Sequence, residues 1–340
     1  MNMLRFKLIF LGNLLVVFLN LSLIAFPFGL RYLGGSLMLL HIIVLVILYL
    51  LFGSETSDYK ECAANLGNKG YIKLNSGNTR YRYIENSGKD FFLFINGFPM
   101  FIETWDELSA IMHKKGFSVL LFDWQGLGFS APSTEKLTSK LICKQIDDLL
   151  QKLEIKKRMH LIALSLGCSL AAEYCLSGCK KIESLSLLSP ITISMKIFPF
   201  NMPIAGEFLT RIFLQKAMQN IFKRNFTDKE NRERYEKPFY LQLKKKGFAK
   251  SWITVYRSFF TQSHLKKYQD IAKSTIITQI FYGDQDVIFK HESYSILQSI
   301  LNSKVYPISN AGHSIQCDAA TEIAQIIERT VIKPENKYTD

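Results

Sequence analysis

Cysteine is sparse in this sequence, and none of it is paired at metal-binding spacing. Six cysteines are spread over 340 residues, at 62, 143, 168, 175, 179 and 317, and no two form a C-x-x-C. That excludes a disulfide framework and a zinc ribbon. Cys168 and Cys175 fall on one stretch expected to be a buried helix, so the pattern reads as reduced, core-filling cysteine of a cytoplasmic domain. The six histidines form no cluster with carboxylates at ligand spacing. A glycine-rich phosphate loop is also missing: "GLGFS" (126–130) lacks the Lys-Ser/Thr that a P-loop requires. No cofactor and no metal are expected. No internal repeat or low-complexity tract is present, which excludes a solenoid.

Charge is missing from two long runs near the start. Lys7 and Arg31 bracket 23 uncharged residues, and Arg31 and Glu55 bracket another 23. Both runs are rich in Leu, Ile, Val and Phe. Since about 20 apolar residues span a bilayer as a helix, residues 1–55 are expected to be a membrane anchor of two transmembrane helices. A signal peptide fits the first run poorly, because its apolar part is too long and "AFPFG" offers no small-x-small cleavage site. Arg5 and Lys7 precede the hairpin and Lys60, Lys69 and Lys73 follow it, which is expected to leave both ends, and so the domain that follows, in the cytoplasm.

Beyond residue 70 the chain alternates strands and helices. "FFLFI" (91–95) and "FSVLLFD" (117–123) are continuous apolar runs, as in strands buried on both faces. "RMHLIAL" (158–164), "IESLSLLSP" (182–190), "TIITQIFY" (275–282) and "KVYPIS" (304–309) follow, separated by amphipathic helical segments. The alternation implies a mostly parallel sheet covered by helices, an α/β class. Residues 191–269 interrupt it with helices and loops, as a cap would. The expected organisation is anchor 1–55, core 56–190, cap 191–269, core 270–332 and a loose tail 333–340.

Ser165 sits where an apolar strand gives way to a helix, in "LIALSLGCSL" (161–170). Ala163 lies two residues before it and Gly167 two after. A strained strand-to-helix turn that presents a serine needs small residues on both sides. A helix N-cap serine fits the same place. A serine hydroxyl is a weak nucleophile without a base, and the base needs an orienting acid. Two later loops, each just past an apolar strand, offer Asp286 in "IFYGDQDVIF" (280–289) and His313 in "ISNAGHSI" (308–315). In a parallel sheet these strand ends share one edge.

These motifs together resemble the α/β-hydrolase superfamily over about residues 71–330. "NGFP" (96–99) is similar to the family's H-G-x-P loop, and "DWQGLGFS" (123–130) to its D-x-R-G-x-G-x-S turn. The resemblance implies Ser165 as nucleophile, His313 as general base and Asp286 as the acid that orients it. It implies an oxyanion hole made by the backbone N–H groups of Phe98 and Leu166. Three residues depart from the pattern. Asn96 stands for the family's histidine and predicts a looser oxyanion loop; Gln125 stands for its arginine; Cys168 stands where glycine is common. Asp284 reads as a turn former, Asp123 as the fixer of its glycine turn, and His160 as a satisfied core histidine. His113, His264 and His291 fall on polar faces and read as solvated.

The net charge of +13 is concentrated in the cap. Residues 191–270 carry sixteen Lys/Arg against six Asp/Glu, interleaved with aromatics. A solvated lid explains this, as does a lid resting on anionic lipid. No nucleic-acid motif accompanies it. The expected function is a membrane-anchored serine hydrolase of carboxylic esters, with a small-molecule or lipid ester as substrate. A C–C-bond hydrolase, a thioesterase or an acyltransferase would use the same scaffold. A catalytically silent binding module is the reading from another class. An aspartate at the elbow, as in haloalkane dehalogenases, is absent.

Overall fold

The structure, a computed structural model, describes residues 28–332 apart from 53–54, 56, 65, 67–69, 179–180, 195–199, 203–204 and 290. Eight strands form one sheet: β1 (Gly70–Leu74), β2 (Gly77–Ile84), β3 (Asp90–Ile95), β4 (Ser118–Phe122), β5 (Arg158–Leu164), β6 (Ile182–Leu188), β7 (Ile277–Gly283) and β8 (Lys304–Ile308). Their order is β1-β2-β4-β3-β5-β6-β7-β8. β1 and β2 join antiparallel, and from β4 to β8 every pair is parallel.

The apolar runs explain the sheet's middle. Phe91, Leu93 and Ile95 enter one hydrophobic cluster, while Phe92 and Phe94 enter the other. Alternate side chains of one strand thus fill two cores, which is why β3 has no polar face. The helix Ser139–Lys152 begins at Thr138, whose side chain accepts from the Leu141 N–H. It covers the first face together with Leu166–Leu176, and Asp106–Lys114 and Ala320–Ile327 cover the second. The strands follow the sequence reading closely. The helical segment between β3 and β4 opens as a 3-10 turn, Ile102–Trp105, before the helix Asp106–Lys114.

Between β6 and β7 the described residues form the helices Ala205–Phe222, Lys229–Leu243, Phe248–Val255 and Leu265–Ile271. Phe222, Phe239 and Trp252 of these helices, and Tyr256 just after the third, belong to the same cluster as the first sheet face. They are tied to the loops at the C-terminal edge of the sheet. Gln242 Nε2 donates to Pro99 O at 2.7 Å, and the Ser314 N–H donates to Asn225 O at 2.9 Å.

The second charge-free run lies, up to Phe52, in one helix, Phe28–Phe52, of 25 residues. Leu39, Leu40, Ile42, Ile43, Val44, Val46 and Ile47 are exposed on it. Among the described residues no helix is long and apolar enough to cross a membrane, so the structure lends the expected hairpin no support. The first expected span and the tail 333–340 lie outside the described residues.

Candidate active site

The turn after β5 carries Ser165 at φ 54° and ψ −117°. A non-glycine residue there is strained by about 1–3 kcal/mol, and surrounding contacts must hold it. They do: the Ser165 N–H donates to Leu188 O at 2.8 Å, and Ser165 O accepts from the Cys168 N–H at 3.0 Å. The side chain makes no capping hydrogen bond to the helix Leu166–Leu176. The N-cap reading therefore fails, and the hydroxyl is left without that structural use. Gly167 is required for another reason. A Cβ at this position would sit 2.4 Å from Asn96 O and 2.8 Å from Ile95 O. The elbow thus presses against the end of β3, and this brings Leu166 beside the loop that holds Phe98. Among the described residues, neither the Phe98 nor the Leu166 N–H finds an acceptor.

Asp286 and His313 meet across the edge of the sheet. His313 Nδ1 lies 2.8 Å from Asp286 Oδ2. The same oxygen accepts from the Tyr294 hydroxyl at 2.9 Å. Asp286 Oδ1 accepts from the Ile288 and Phe289 N–H groups at 2.7 and 3.2 Å. Burial pushes this carboxyl up, but the His313 ring and these donors outweigh it and hold it below the usual carboxylate range. The acid is therefore ionised at neutral pH. The Phe289 ring meets the His313 ring edge-on, with centroids 5.2 Å apart. Ser165, Asp286 and His313 are all nearly buried, at 8%, 8% and 6% exposure.

The three departures are each accommodated. Asn96 Nδ2 donates to Phe122 O at 3.0 Å, and Asn96 Oδ1 accepts from Trp105 Nε1 at 2.6 Å. The Asn96–Pro99 loop is anchored at its root by two buried hydrogen bonds, contrary to the looser loop expected of an asparagine. Gln125 Nε2 donates to Ala131 O at 2.7 Å and closes its own turn. Cys168 is buried, with its thiol 3.1 Å from Ala163 O.

Asp123 does more than fix a glycine turn. It accepts from the N–H groups of Ile102 and Phe129, both at 2.9 Å, and so links the NGFP loop to the turn that follows β4. Arg80 pairs with it at 3.3 Å and with Glu103. Both partners are buried, and no local motif signals this cluster. Asp284 is exposed and its N–H donates to Ile308 O at 3.0 Å, as a turn former would. His160 is buried against Ser184 Oγ at 2.8 Å. His264 is a correction. It is buried rather than solvated, with Nδ1 2.8 Å from Ser169 Oγ, because the chain after Phe260 folds back over the elbow helix. His113 is half-buried and reaches Phe117 O at 3.2 Å, while His291 is exposed.

An aromatic cover lies over the Asn96–Pro99 loop. The Phe98 ring packs on Trp252 and Phe260, with centroids 5.8 and 5.4 Å apart. Trp252 stacks on Tyr256 at 5.5 Å. The described cysteines at 62, 168, 175 and 317 are free thiols. Among the described residues no group of His, Cys, Asp and Glu could hold a metal ion.

Comparison with known proteins adds a family to this geometry. The chain is 25% identical over 254 residues to a cattle (Bos taurus) protein named monoacylglycerol lipase ABHD6, covering 69% of this chain and 73% of that protein. It is likewise 25% identical over 251 residues to the mouse (Mus musculus) protein of that name, with the same coverage. Among solved structures it is similar in fold to the esterase EaEST from Exiguobacterium antarcticum, at TM-score 0.65 and 15% identity, over 78% of this chain and 100% of that one. A sequence profile of the alpha/beta hydrolase fold matches residues 90–320. That match spans more than half of the chain, including both edge loops and the elbow, and the chain is therefore a hydrolase of the α/β-hydrolase family.

Proposed function

We propose that this chain hydrolyses carboxylic esters through an acyl-enzyme on Ser165. The observation that carries the reading is the pairing of a strained Ser165 turn with the buried His313–Asp286 contact on the same sheet edge. His313 takes the Ser165 proton as Oγ attacks the ester carbonyl. The tetrahedral oxyanion accepts from the Phe98 and Leu166 N–H groups, each such donor contributing about 10²–10³-fold. Leu166 opens a helix, whose dipole favours negative charge there. Collapse of the intermediate expels the alcohol, protonated by His313. Water activated by the same imidazole then releases the acid. Asp286 keeps the ring oriented and its Nδ1 protonated.

The alcohol and acid parts of the substrate follow from less direct support. The aromatic cover of Phe98, Trp252 and Phe260 suits an acyl chain, and two relatives carry the name monoacylglycerol lipase. Acylglycerols and related lipid esters are the proposed class. The helices between β6 and β7 act as the cap of this site. The apolar run before Glu55 anchors the chain in a membrane, with the catalytic domain on the cytoplasmic face. The basic excess of the cap, sixteen against six, faces anionic lipid.

The test is labelling of the detergent-solubilised full chain with a fluorophosphonate probe. Labelling is expected in the wild type and absent in Ser165→Ala and His313→Ala. An ester series of rising acyl length is expected to favour long chains and monoacylglycerols. A preference for short soluble esters would overturn the lipid part alone. A folded, unlabelled wild type would overturn the whole.

A further inference from the structure

Asp286 receives one donor that the nucleophile–base–acid arrangement does not account for. Its Oδ2 accepts both from His313 Nδ1 at 2.8 Å and from the Tyr294 hydroxyl at 2.9 Å. Tyr294 is 1% exposed. Its ring stacks on Tyr282 at 4.6 Å and 15°, and its N–H donates to His291 O at 3.0 Å. Phenylalanine would fill this core position equally well. A buried hydroxyl costs free energy unless it is bonded, so its presence calls for a partner, and it donates to the Asp286 carboxylate.

We infer that Tyr294 is a positioning residue for the hydrolysis: its hydroxyl shares Asp286 Oδ2 with His313, and so sets both the direction of the imidazole and the strength of its contact with the acid. The inference rests on the triad reading above. Two consequences follow from the shared oxygen. With two donors on each carboxylate oxygen, the plane of Asp286 is fixed, and Oδ2 faces the ring. The Tyr294 proton also withdraws negative charge from that oxygen. The pull of that oxygen on the ring is then weaker than that of a carboxylate with Oδ2 free. Burial beside Asp286 holds the Tyr294 phenol far above its ordinary value, so it stays a donor at every working pH.

The other groups near this pair do not replace it. Asp318 lies behind the histidine loop and accepts from the Gly312 N–H at 3.0 Å. Cys168 reaches Tyr294 from the elbow helix, and burial keeps its thiol protonated. The His291 ring packs on Tyr282, the stacking partner of Tyr294, at 5.1 Å.

The experiment measures fluorophosphonate labelling rates of the solubilised full chain from pH 5 to pH 9. It compares wild type, Tyr294→Phe, and a chain with 3-fluorotyrosine at position 294, whose more acidic phenol strengthens the bond to Oδ2. Ser165→Ala and His313→Ala are the controls. In Tyr294→Phe the acid limb is expected to move up by about half to one pH unit. Labelling near pH 5.5 then falls about 3–10-fold, beyond any uniform loss at pH 8.5. The fluorotyrosine chain is expected to move the limb down, and it keeps the test decisive should the phenylalanine variant fold poorly. Superimposable limbs, or a loss equal at every pH, would overturn the inference while leaving the triad intact. Persistent labelling in both controls would overturn the triad reading, and the inference with it.

Discussion

Lys245 Nζ donates to Ser130 O at 2.9 Å, and its second bond, to Gly126 O at 3.1 Å, closes both ends of one turn. The residue comes from the segment between the helices Lys229–Leu243 and Phe248–Val255 and is fully buried. It therefore fastens the cap to the turn that Asp123 organises. Burial pulls its ammonium down from the usual 10.5 to about 7, against the attraction of Asp123, Cys62 and Glu55. The neutral amine has two N–H groups, which match the two carbonyls.

A pH-dependent stability follows from that lysine. Between about pH 7 and 10.5 the unfolded chain binds a proton that the folded chain does not, so this residue adds stability as pH rises through that window. Below about 7 the full penalty of burying the charge applies. Lys245→Met strands two buried carbonyls, at about 1–3 kcal/mol each, and also removes the penalty. The variant's deficit is expected to widen by about 2–3 kcal/mol from pH 7 to pH 9. Urea titrations of both proteins at the two pH values measure it. A deficit that stays constant would mean the amine is not depressed.

Ser165→Gly separates strain from chemistry. The serine is held at φ 54°, where glycine is unstrained. The variant should lose fluorophosphonate labelling entirely and yet gain about 1 kcal/mol of stability, a rise of a few degrees in Tm. Ser165→Ala should lose labelling without that gain. A glycine variant less stable than the alanine one would show that the turn is not under strain.

The framework of this site was legible because its motifs are local. The elbow, the NGFP loop and the two edge loops each need small residues at short spacing, and a parallel sheet gathers them without further information. What holds them in place is not local. Arg80 meets Glu103 and Asp123 across 23 and 43 residues, and Lys245 reaches Gly126 across 119. Nothing in the immediate sequence around these residues predicts their partners. His264 was misread for the same reason: Thr261, Gln262 and Ser263 precede it and Lys266 and Lys267 follow, a polar stretch that would be exposed were it not folded onto Ser169. Tyr294 lies on a helix whose pattern announces only a core position.

His264 makes the fold sensitive to acid. Burial, helped by the nearby Lys267 charge, lowers its imidazole from 6.5 to about 4. The unfolded chain takes up the proton first, so stability falls as pH drops from about 6.5 to about 4, by up to about 3 kcal/mol. His264→Gln keeps a polar group for Ser169 and does not titrate. The wild type should lose stability relative to this variant over that interval, seen as a narrowing gap between their melting temperatures. Parallel curves would place the acid sensitivity elsewhere.

Gly167→Ala tests the proposed oxyanion hole without touching the proposed triad. The added methyl would lie 2.4 Å from Asn96 O, which is backbone and has no flexible end to swing aside. Either the elbow or the Asn96–Pro99 loop must retreat, and the Phe98 and Leu166 N–H groups then diverge from a common oxygen. Asn96 resists the retreat, because Phe122 and Trp105 hold its side chain. The overpacking should cost about 1–3 kcal/mol of stability. The loss of one aligned donor should lower the labelling and hydrolysis rates by about 10²–10³-fold. Because Asp286 and His313 sit on other loops, the acid limb of the pH profile should stay where it is in the wild type. A rate loss that came with a moved limb would trace the damage to the base. A folded variant of undiminished rate would remove Leu166 or Phe98 from the oxyanion hole.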